Sequence, residues 1–388
     1  MQKFKQNDIV CVIYFLIFLR EVIFGATKIS DLLPESLITM IYRVLLLGIV
    51  FLGGIVICFY ERFSMDEKVK IAIFLGITFS SVFITRQYML LEAVILIVCC
   101  KEIELDKVLK FVLKIQITLI LLVIILALVG VIGIGDIQRN AGVLRYSLGF
   151  SHPNRLAMLI FQICCEIFYL NRNRVTWIII AVCIALNIIS YAVTNSNTAF
   201  IINIVFDMAL IIYKTTHLEK EADNKHVRRL FYIFMFAAIV GGAIFIGVFI
   251  RNPDYFINVT KGFDTLYSRF RLIPKYYNAY GIKLFGNKIV EGTKVILPGY
   301  EASYGYLDCG YAALFIRDGI LFAVMFLVGI AALLRKKVNE GNWALVIILI
   351  LCLIYFMLEK PILDLGMNVF WIMLADVVYI KSQKRTSA

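Results

Sequence analysis

Long apolar runs separated by short polar stretches extend along almost the whole chain. A transmembrane helix needs about 20 apolar residues, and these runs approach or exceed that length. The pattern predicts an all-α polytopic membrane protein with about twelve transmembrane helices, in a single integral membrane domain over residues 1–388. The twelve runs lie at roughly 9–24, 36–60, 70–85, 87–100, 108–132, 154–170, 175–193, 198–213, 230–250, 310–334, 343–358 and 362–380.

Composition agrees with this class. Of 388 residues, 61% are hydrophobic and 17% charged, whereas soluble domains are about half apolar and a quarter charged. The net charge is +12. In a membrane protein, excess basic residues orient the loops and bind anionic lipid headgroups. The expected partner is therefore the bilayer, and nucleic acid is not expected. The nine cysteines show no CxxC and no cluster with histidine. The cysteines therefore indicate neither a disulfide framework nor a zinc site. No cofactor is expected.

Basic residues concentrate in every second loop between the runs. Since cytoplasmic loops carry the excess of Lys and Arg, both termini are predicted to lie in the cytoplasm. Two outer segments depart from the rule: the loop with Arg139 and Arg145, and the long loop at 251–308 between the ninth and tenth runs. The basic residues in these two outer segments therefore need an explanation other than membrane orientation.

The long loop is the predicted substrate-binding and catalytic region. It combines many basic residues with many tyrosines. Cations favour phosphate, and tyrosine offers a flat face and a hydroxyl to sugars. Asp264 is placed to cap one short helix that presents Arg269 and Arg271, with Pro274 as a kink. Contact with anionic lipid alone is the competing explanation for Arg271.

Four polar constellations follow one another along the outer face. They read RYSLGFSHPN at 145–154, TNSNTAF at 194–200, SRFRLI at 268–273 with LFGN at 284–287, and LDCGYAALFIRDGI at 307–320. In this order they resemble the O-antigen and capsular polysaccharide polymerase family (Wzy-type), within the O-antigen ligase-related superfamily. The resemblance extends over the whole chain in topology, and its strength lies in the order of the motifs.

The resemblance implies a metal-independent inverting glycosyltransferase of capsule, exopolysaccharide or O-antigen synthesis. It would pass a growing glycan from undecaprenyl pyrophosphate to an incoming lipid-linked repeat unit at the outer face of the membrane. Its partners would be undecaprenyl-pyrophosphate-linked oligosaccharides, with a flippase and a chain-length regulator as further partners. The alternatives are an O-antigen ligase-like transferase of the same architecture and a lipid-linked sugar transporter or flippase.

The resemblance also implies roles for single residues. Arg145 and Arg269 match arginines that hold the pyrophosphate. Asn197 stands where many members have arginine, so Arg271 or Arg139 would substitute. Asp308, where related ligases carry histidine, would be the general base. His152 is the second candidate for the base, and Asn154 and Tyr311 complete the expected substrate contacts.

Simpler explanations exist for several of these residues. Asp308 is suitably placed to cap the tenth helix, and His152 to hydrogen-bond its own turn. The turn at 194–198 is expected to cap the eighth helix and to line a cavity. Arg317 and Asp318 are as compatible with an internal pair as with a substrate contact.

Overall fold

The structure is a computed structural model that describes residues 2–60, 63–138, 144–221, 223–260, 264–298, 301 and 303–379. It is predominantly helical, with two short hairpins. The helices are α1 (Gln2–Phe18), α2 (Glu35–Ile55), α3 (Met65–Thr85), α4 (Tyr88–Cys99), α5 (Leu105–Leu128), α6 (Pro153–Leu170), α7 (Trp177–Thr194), α8 (Asn197–Thr215), α9 (Lys225–Phe236), α10 (Gly242–Arg251), α11 (Pro253–Thr260), α12 (Asp264–Phe270), α13 (Ile273–Tyr280), α14 (Gly310–Ala313), α15 (Ile320–Asn339), α16 (Trp343–Leu358) and α17 (Ala375–Val378). The strands are β1 (Asp136–Gln138), β2 (Leu144–Tyr146), β3 (Gly292–Val295) and β4 (Ser303–Gly305).

Several helices continue into tighter or wider turns. The π-helical stretches Leu19–Phe24, Val56–Tyr60 and Ala237–Gly241 extend α1, α2 and α9, and Leu314–Asp318 follows α14. Short 3₁₀ turns cover Ser30–Leu32, Leu218–Lys220, Lys360–Leu363 and Val369–Leu374.

Within the part of the chain that the structure describes, six helical segments are long and apolar enough to cross a membrane, in agreement with an all-α membrane protein. They are Glu35–Phe59, Met65–Thr85, Leu105–Leu128, Trp177–Thr194, Asn197–Thr215 and Lys225–Arg251. Large apolar side chains on these helices face outward. Phe51 is 69% exposed and Ile178 is 76% exposed, which is costly in water and favourable in lipid.

The centre of the bundle is formed by other helices. Fourteen of the 18 residues of α6 are buried, and α16 is buried on almost all sides. Phe161 of α6 packs edge-on against Tyr355 of α16, with the ring centroids 5.5 Å apart. A helix that is apolar all round belongs in the interior, where helices and not lipid surround it. The candidate site described below is built on the ends of these two central helices.

Two of the predicted runs are not continuous helices. In the run at 310–334, Gly319 has a φ of +96° and separates the π-helical stretch from α15, because this conformation cannot continue a right-handed helix. In the run at 362–380, Asn368 accepts a hydrogen bond from Phe370 N, and the Trp371 indole donates to Ile362 O at 2.7 Å. These bonds stabilise compact 3₁₀ turns in place of one long helix.

The described residues between 251 and 308 form three short helices, α11 to α13, followed by the antiparallel strands β3 and β4. The single kinked helix expected after Asp264 is wrong, because the chain breaks at Arg271 and starts again as α13. Pro274 occupies the first turn of α13. Proline suits that position, since the backbone N–H it lacks would have no helical acceptor there.

Candidate active site

A cavity of about 640 Å³ opens at the end of the bundle where α6 and α8 begin and α16 ends. The segment at 251–308 supplies its opposite wall. Its lining comes from five separate parts of the chain: Arg145, Ser151, His152, Asn154, Arg155, Asn197, Thr198, Arg269, Arg271, Thr293, Tyr306, Asp308, Glu359, Lys360 and Pro361.

The start of α6 fixes the first group of lining residues. His152 is the N-cap, and its Nδ1 accepts a hydrogen bond of 3.1 Å from the Asn154 backbone N–H. Pro153 follows as the first helical residue, where its fixed φ favours helix initiation. The expected helix start and the hydrogen bond of His152 to its own turn are therefore both present.

Asn154 joins three segments through its side-chain amide. Its Oδ1 accepts from Arg145 Nη2 at 2.7 Å and from the Ser196 hydroxyl at 3.0 Å. Its Nδ2 donates to Glu359 Oε1 at 2.6 Å. The Ser196 hydroxyl is thereby directed to Asn154 and makes no cap hydrogen bond, so the expected capping of α8 by this turn is wrong.

The two arginines expected from the sequence to bind pyrophosphate, Arg145 and Arg269, both contact the pair formed by Asn154 and Glu359. Arg145, carried by β2, also donates from Nε to Thr194 O at 2.9 Å. Arg269, carried by α12, donates from Nε to Leu358 O at 2.8 Å and pairs with the Glu359 carboxylate. Burial opposes the charge of Arg269, but Glu359 and Asp308 raise its pKa above the usual range. Both guanidinium groups are held in place by backbone carbonyls.

Asp308 is half-buried between β4 and α14. It does not cap α14, whose N-cap is Cys309, so that simpler explanation is wrong. None of the described residues donates a hydrogen bond to its carboxylate. Burial, reinforced by Glu359, raises its pKa to about 6, although Arg269 and Lys360 oppose the rise. An aspartate of this pKa is a proton acceptor near neutral pH.

His152 is a weaker candidate for the base. Burial and the neighbouring arginines lower its pKa to about 4 despite Glu359, so the imidazole is neutral at pH 7. Its Nδ1 lone pair already accepts from Asn154 N, which assigns the remaining proton to Nε2. Nε2 therefore offers a hydrogen-bond donor to the cavity. Asp308 is the proton acceptor that the geometry favours.

The lining carries more positive than negative charge. Arg145, Arg155, Arg269, Arg271 and Lys360 face the cavity together with only two acidic lining residues, Asp308 and Glu359. Clustered cations in a partly desolvated concavity attract anions strongly. The remaining lining groups are mostly hydroxyls and amides, which hydrogen-bond to neutral polar ligands such as sugars.

Seven of the eight residues expected from sequence line this one cavity, although they lie as far apart as Arg145 and Asp308. Arg271 is among them but is exposed, and its guanidinium lies 5.9 Å from the Tyr267 ring centroid. Arg139 lies outside the described residues. The expected contact by Tyr311 is wrong: its ring is buried beside Phe356, and its hydroxyl donates to Ala238 O at 2.7 Å.

Sequence reasoning missed Glu359 and Arg155. Glu359 joins Asn154 to Arg269, and Arg155 lies 3.8 Å from Asp364. The signal available was the charged pair Glu359-Lys360 directly before a proline at the end of an apolar run. Among the described residues, no three His, Cys, Asp or Glu side chains are grouped as metal ligands.

Comparisons with protein-family models, with curated proteins and with solved structures find no match for this chain. The resemblance to the polysaccharide polymerase family consequently rests on the sequence motifs alone.

Proposed function

We propose that this protein is a polymerase of lipid-linked oligosaccharide repeat units. It transfers a growing glycan from undecaprenyl pyrophosphate to the incoming lipid-linked unit. The observation that carries the proposal is the convergence of Arg145, Asn154, Arg269 and Asp308 on one basic cavity. Three motifs far apart in sequence have no structural need to supply the same cavity, whereas a shared substrate requires it.

The proposed topology has twelve spans, with both termini in the cytoplasm and the cavity on the outer face. The alternation of basic residues between loops supports it. Single cysteines at Asn224 and Gly292, in a cysteine-free background, test this arrangement with an impermeant thiol reagent. Labelling of both positions from outside would exclude the model between the eighth and tenth spans.

In the proposed reaction the acceptor sugar hydroxyl gives its proton to Asp308. The oxygen of the acceptor hydroxyl attacks the anomeric carbon of the donor glycan from the face opposite the phosphate. The bond from that carbon to the phosphate oxygen breaks. The electron pair leaves with the lipid pyrophosphate, so the configuration inverts. Arg145 and Arg269 stabilise the charge that develops on this leaving group, a role that a metal ion fills in other enzymes.

Glu359 has a supporting role in this scheme. Its Oε1 is paired with Arg269 and accepts from Asn154, so this oxygen is already engaged within the protein. Asp308 receives no such bonds from the described residues and lines the same cavity. This difference favours Asp308 as the carboxylate that accepts a substrate proton.

The decisive experiment supplies purified protein with lipid-linked repeat units and analyses the glycan chains formed. Asp308→Asn keeps the shape but cannot accept the proton, and we expect it to lose on the order of 100-fold or more in turnover. Asp308→Glu retains a base, displaced by one methylene, and should keep part of the activity.

Other outcomes of that experiment assign other functions. Transfer only to a different acceptor, without lengthened chains, indicates a ligase. Movement of the lipid-linked unit across proteoliposomes, with no new glycosidic bond, indicates a flippase. Wild-type turnover by Asp308→Asn removes Asp308 from the mechanism.

A further inference from the structure

Glu359, which follows α16, and Lys360, which begins the next 3₁₀ turn, direct their charged side chains to different partners. Glu359 reaches Asn154 and Arg269. Lys360 instead pairs with the Glu291 carboxylate. The backbone of Lys360 also contacts the proposed base, since its N–H donates to Asp308 O at 2.6 Å.

Glu291 contacts the residue that precedes Asp308. Both oxygens of its carboxylate accept from Lys360 Nζ, and Oε1 also accepts a hydrogen bond of 2.7 Å from the Leu307 backbone N–H. Glu291 thus holds the backbone N–H of Leu307, and Lys360 holds the carbonyl of Asp308 itself. Asp308 N itself donates to Tyr306 O at 3.1 Å. The backbone at Asp308 is fixed on both sides by one ion pair.

From this geometry we infer that Lys360 and Glu291 are a positioning pair that fixes the Asp308 carboxyl in the cavity and sets its charge. Neither residue is needed to touch the reacting atoms. The role of Asp308 as the base belongs to the proposed function. The physical effect of the pair on the Asp308 carboxyl does not depend on whether Asp308 is the base.

Charged and titratable groups on several neighbouring elements face Asp308. They are Arg269 of α12, Tyr276 of α13, Glu291 before β3, and Glu359 and Lys360, which follow α16. Arg269 and Lys360 favour the ionised carboxylate, whereas Glu359 and Glu291 oppose it. Glu291 is itself half-buried, yet Lys360 and the hydrogen bonds keep its pKa below the usual range. The pair is therefore ionised on the Glu291 side at neutral pH.

The two members of the pair act on Asp308 with opposite sign. Loss of the Lys360 charge removes a cation and adds the full repulsion of Glu291, which should raise the Asp308 pKa by about one pH unit. Loss of the Glu291 charge removes a repulsion and leaves Lys360 without its closest anion. Both changes should lower the Asp308 pKa. A merely structural contact would not produce shifts of opposite direction.

The test measures the charge state of Asp308 without any glycan substrate. Carbodiimides react with the protonated carboxyl group, so modification of Asp308, quantified by peptide mass spectrometry across pH 4–9, follows its protonation. We expect a midpoint near pH 6 in the unmodified sequence, where burial and Glu359 raise the pKa to about 6. Lys360→Met keeps the stem length and the backbone N–H bond, and should move the midpoint upward.

Two matched variants complete the design. Lys360→Arg keeps the charge and should leave the midpoint in place. Glu291→Gln keeps the shape and a carbonyl that accepts from Leu307, and should move the midpoint downward. Equal shifts for Lys360→Met and Lys360→Arg, or the same direction for Lys360→Met and Glu291→Gln, would overturn the inference. If Lys360→Met does not fold, the isosteric Glu291→Gln still decides the sign.

Turnover provides a separate readout. If the protein polymerises glycan, the acid limb of its pH–rate profile should move with the modification midpoint in each variant. If it makes no polymer but the midpoints shift as expected, the proposed function fails and the positioning pair stands. If the protein makes polymer and the midpoints do not move, the proposed function stands and the inference of a positioning pair is overturned.

Discussion

Two arginine–carboxylate pairs at this end of the molecule look alike in composition and differ in surroundings. Arg317 and Asp318 are adjacent in sequence and form two hydrogen bonds with each other, of 2.7 and 3.0 Å. Arg269 and Glu359 are 90 residues apart, and their pair is shared with Asn154. Only the second pair lines the cavity.

The Arg317 and Asp318 side chains hydrogen-bond to each other, and their backbone carbonyls accept hydrogen bonds from neighbouring segments. Asp318 O accepts from the Ser81 hydroxyl at 2.7 Å, and Arg317 O accepts from Asn287 N at 2.8 Å. Gly286 lies so close that an added Cβ would come within 2.0 Å of Arg317 O. The comparison teaches that a buried ion pair alone does not mark a site. Access to a cavity and partners drawn from several segments distinguish the functional candidate from the internal brace.

The largest expected effect is on stability, at the Arg317–Asp318 pair. Arg317→Met leaves the fully buried Asp318 carboxylate without its partner, which should cost about 3–5 kcal/mol of the free energy of unfolding. Thermal or denaturant unfolding in detergent measures this loss. Turnover per folded protein should stay near that of the unmodified sequence.

The control replaces both charges. Arg317→Met combined with Asp318→Leu leaves no unpaired ion and should recover much of the lost stability. If the single variant keeps full stability but loses turnover, Arg317 contacts substrate and the distinction between the two pairs collapses.

The arginines of the cavity should show the opposite profile. Arg145→Ala or Arg269→Ala removes a cation from the proposed leaving-group site, and we expect a loss on the order of 100-fold in polymer formed per folded protein. Arg→Lys at either position should recover only part, because lysine keeps the charge but loses the planar fork of donors.

Arg269→Ala also leaves Glu359 without its cation. The matched control is Arg269→Ala combined with Glu359→Gln, which removes that unpaired charge and keeps an acceptor for Asn154. If the double variant regains full turnover, Arg269 serves only to neutralise Glu359. Undiminished turnover in both single alanine variants would exclude the pyrophosphate assignment.

The sequence was informative about helices with a clear chemical start. Proline after a capping residue predicted the start of α6, and the polar turn before Asn197 marked that of α8. It was less informative about continuity. Gly319 could be judged a break only with its φ of +96° known, since glycine is common inside membrane helices.

For the site, the ordered motifs anticipated most of the lining but not its connections. Glu359 looked like a loop residue because nothing in the sequence shows that its partners are Asn154 and Arg269. Tyr311 was misjudged because a tyrosine near a charged motif suits a sugar as well as it suits a buried hydrogen bond to Ala238. Long-range pairing is set by packing of α6 against α16, which hydrophobic periodicity does not encode.

A smaller effect is expected from pH. Burial and Glu359 raise the pKa of Asp308 to about 6, and a general base acts only when deprotonated. Turnover should therefore be constant above about pH 7 and fall as pH drops through 6. One pH unit below the pKa, about a tenth of the carboxyl is ionised, so the rate at pH 5 should be roughly tenfold lower.

The acid limb should vanish in Asp308→Asn, whose residual rate has no such group to titrate. A limb centred near pH 4 in the unmodified sequence would point instead to His152, whose pKa burial and the neighbouring arginines lower to about 4.

The smallest expected effect is at His152, whose side chain makes its one hydrogen bond among the described residues to the backbone of Asn154. His152→Ala removes the N-cap hydrogen bond to Asn154 N and should cost about 1 kcal/mol of stability. His152→Asn restores a capping oxygen and should recover that stability. Turnover per folded protein should fall by less than about tenfold in both variants, because Nδ1 is already occupied and only a donor at Nε2 is lost. Unfolding curves and turnover measured on the same preparations separate the two effects. A loss of 100-fold or more in both variants, with stability restored in His152→Asn, would transfer the role of base from Asp308 to His152.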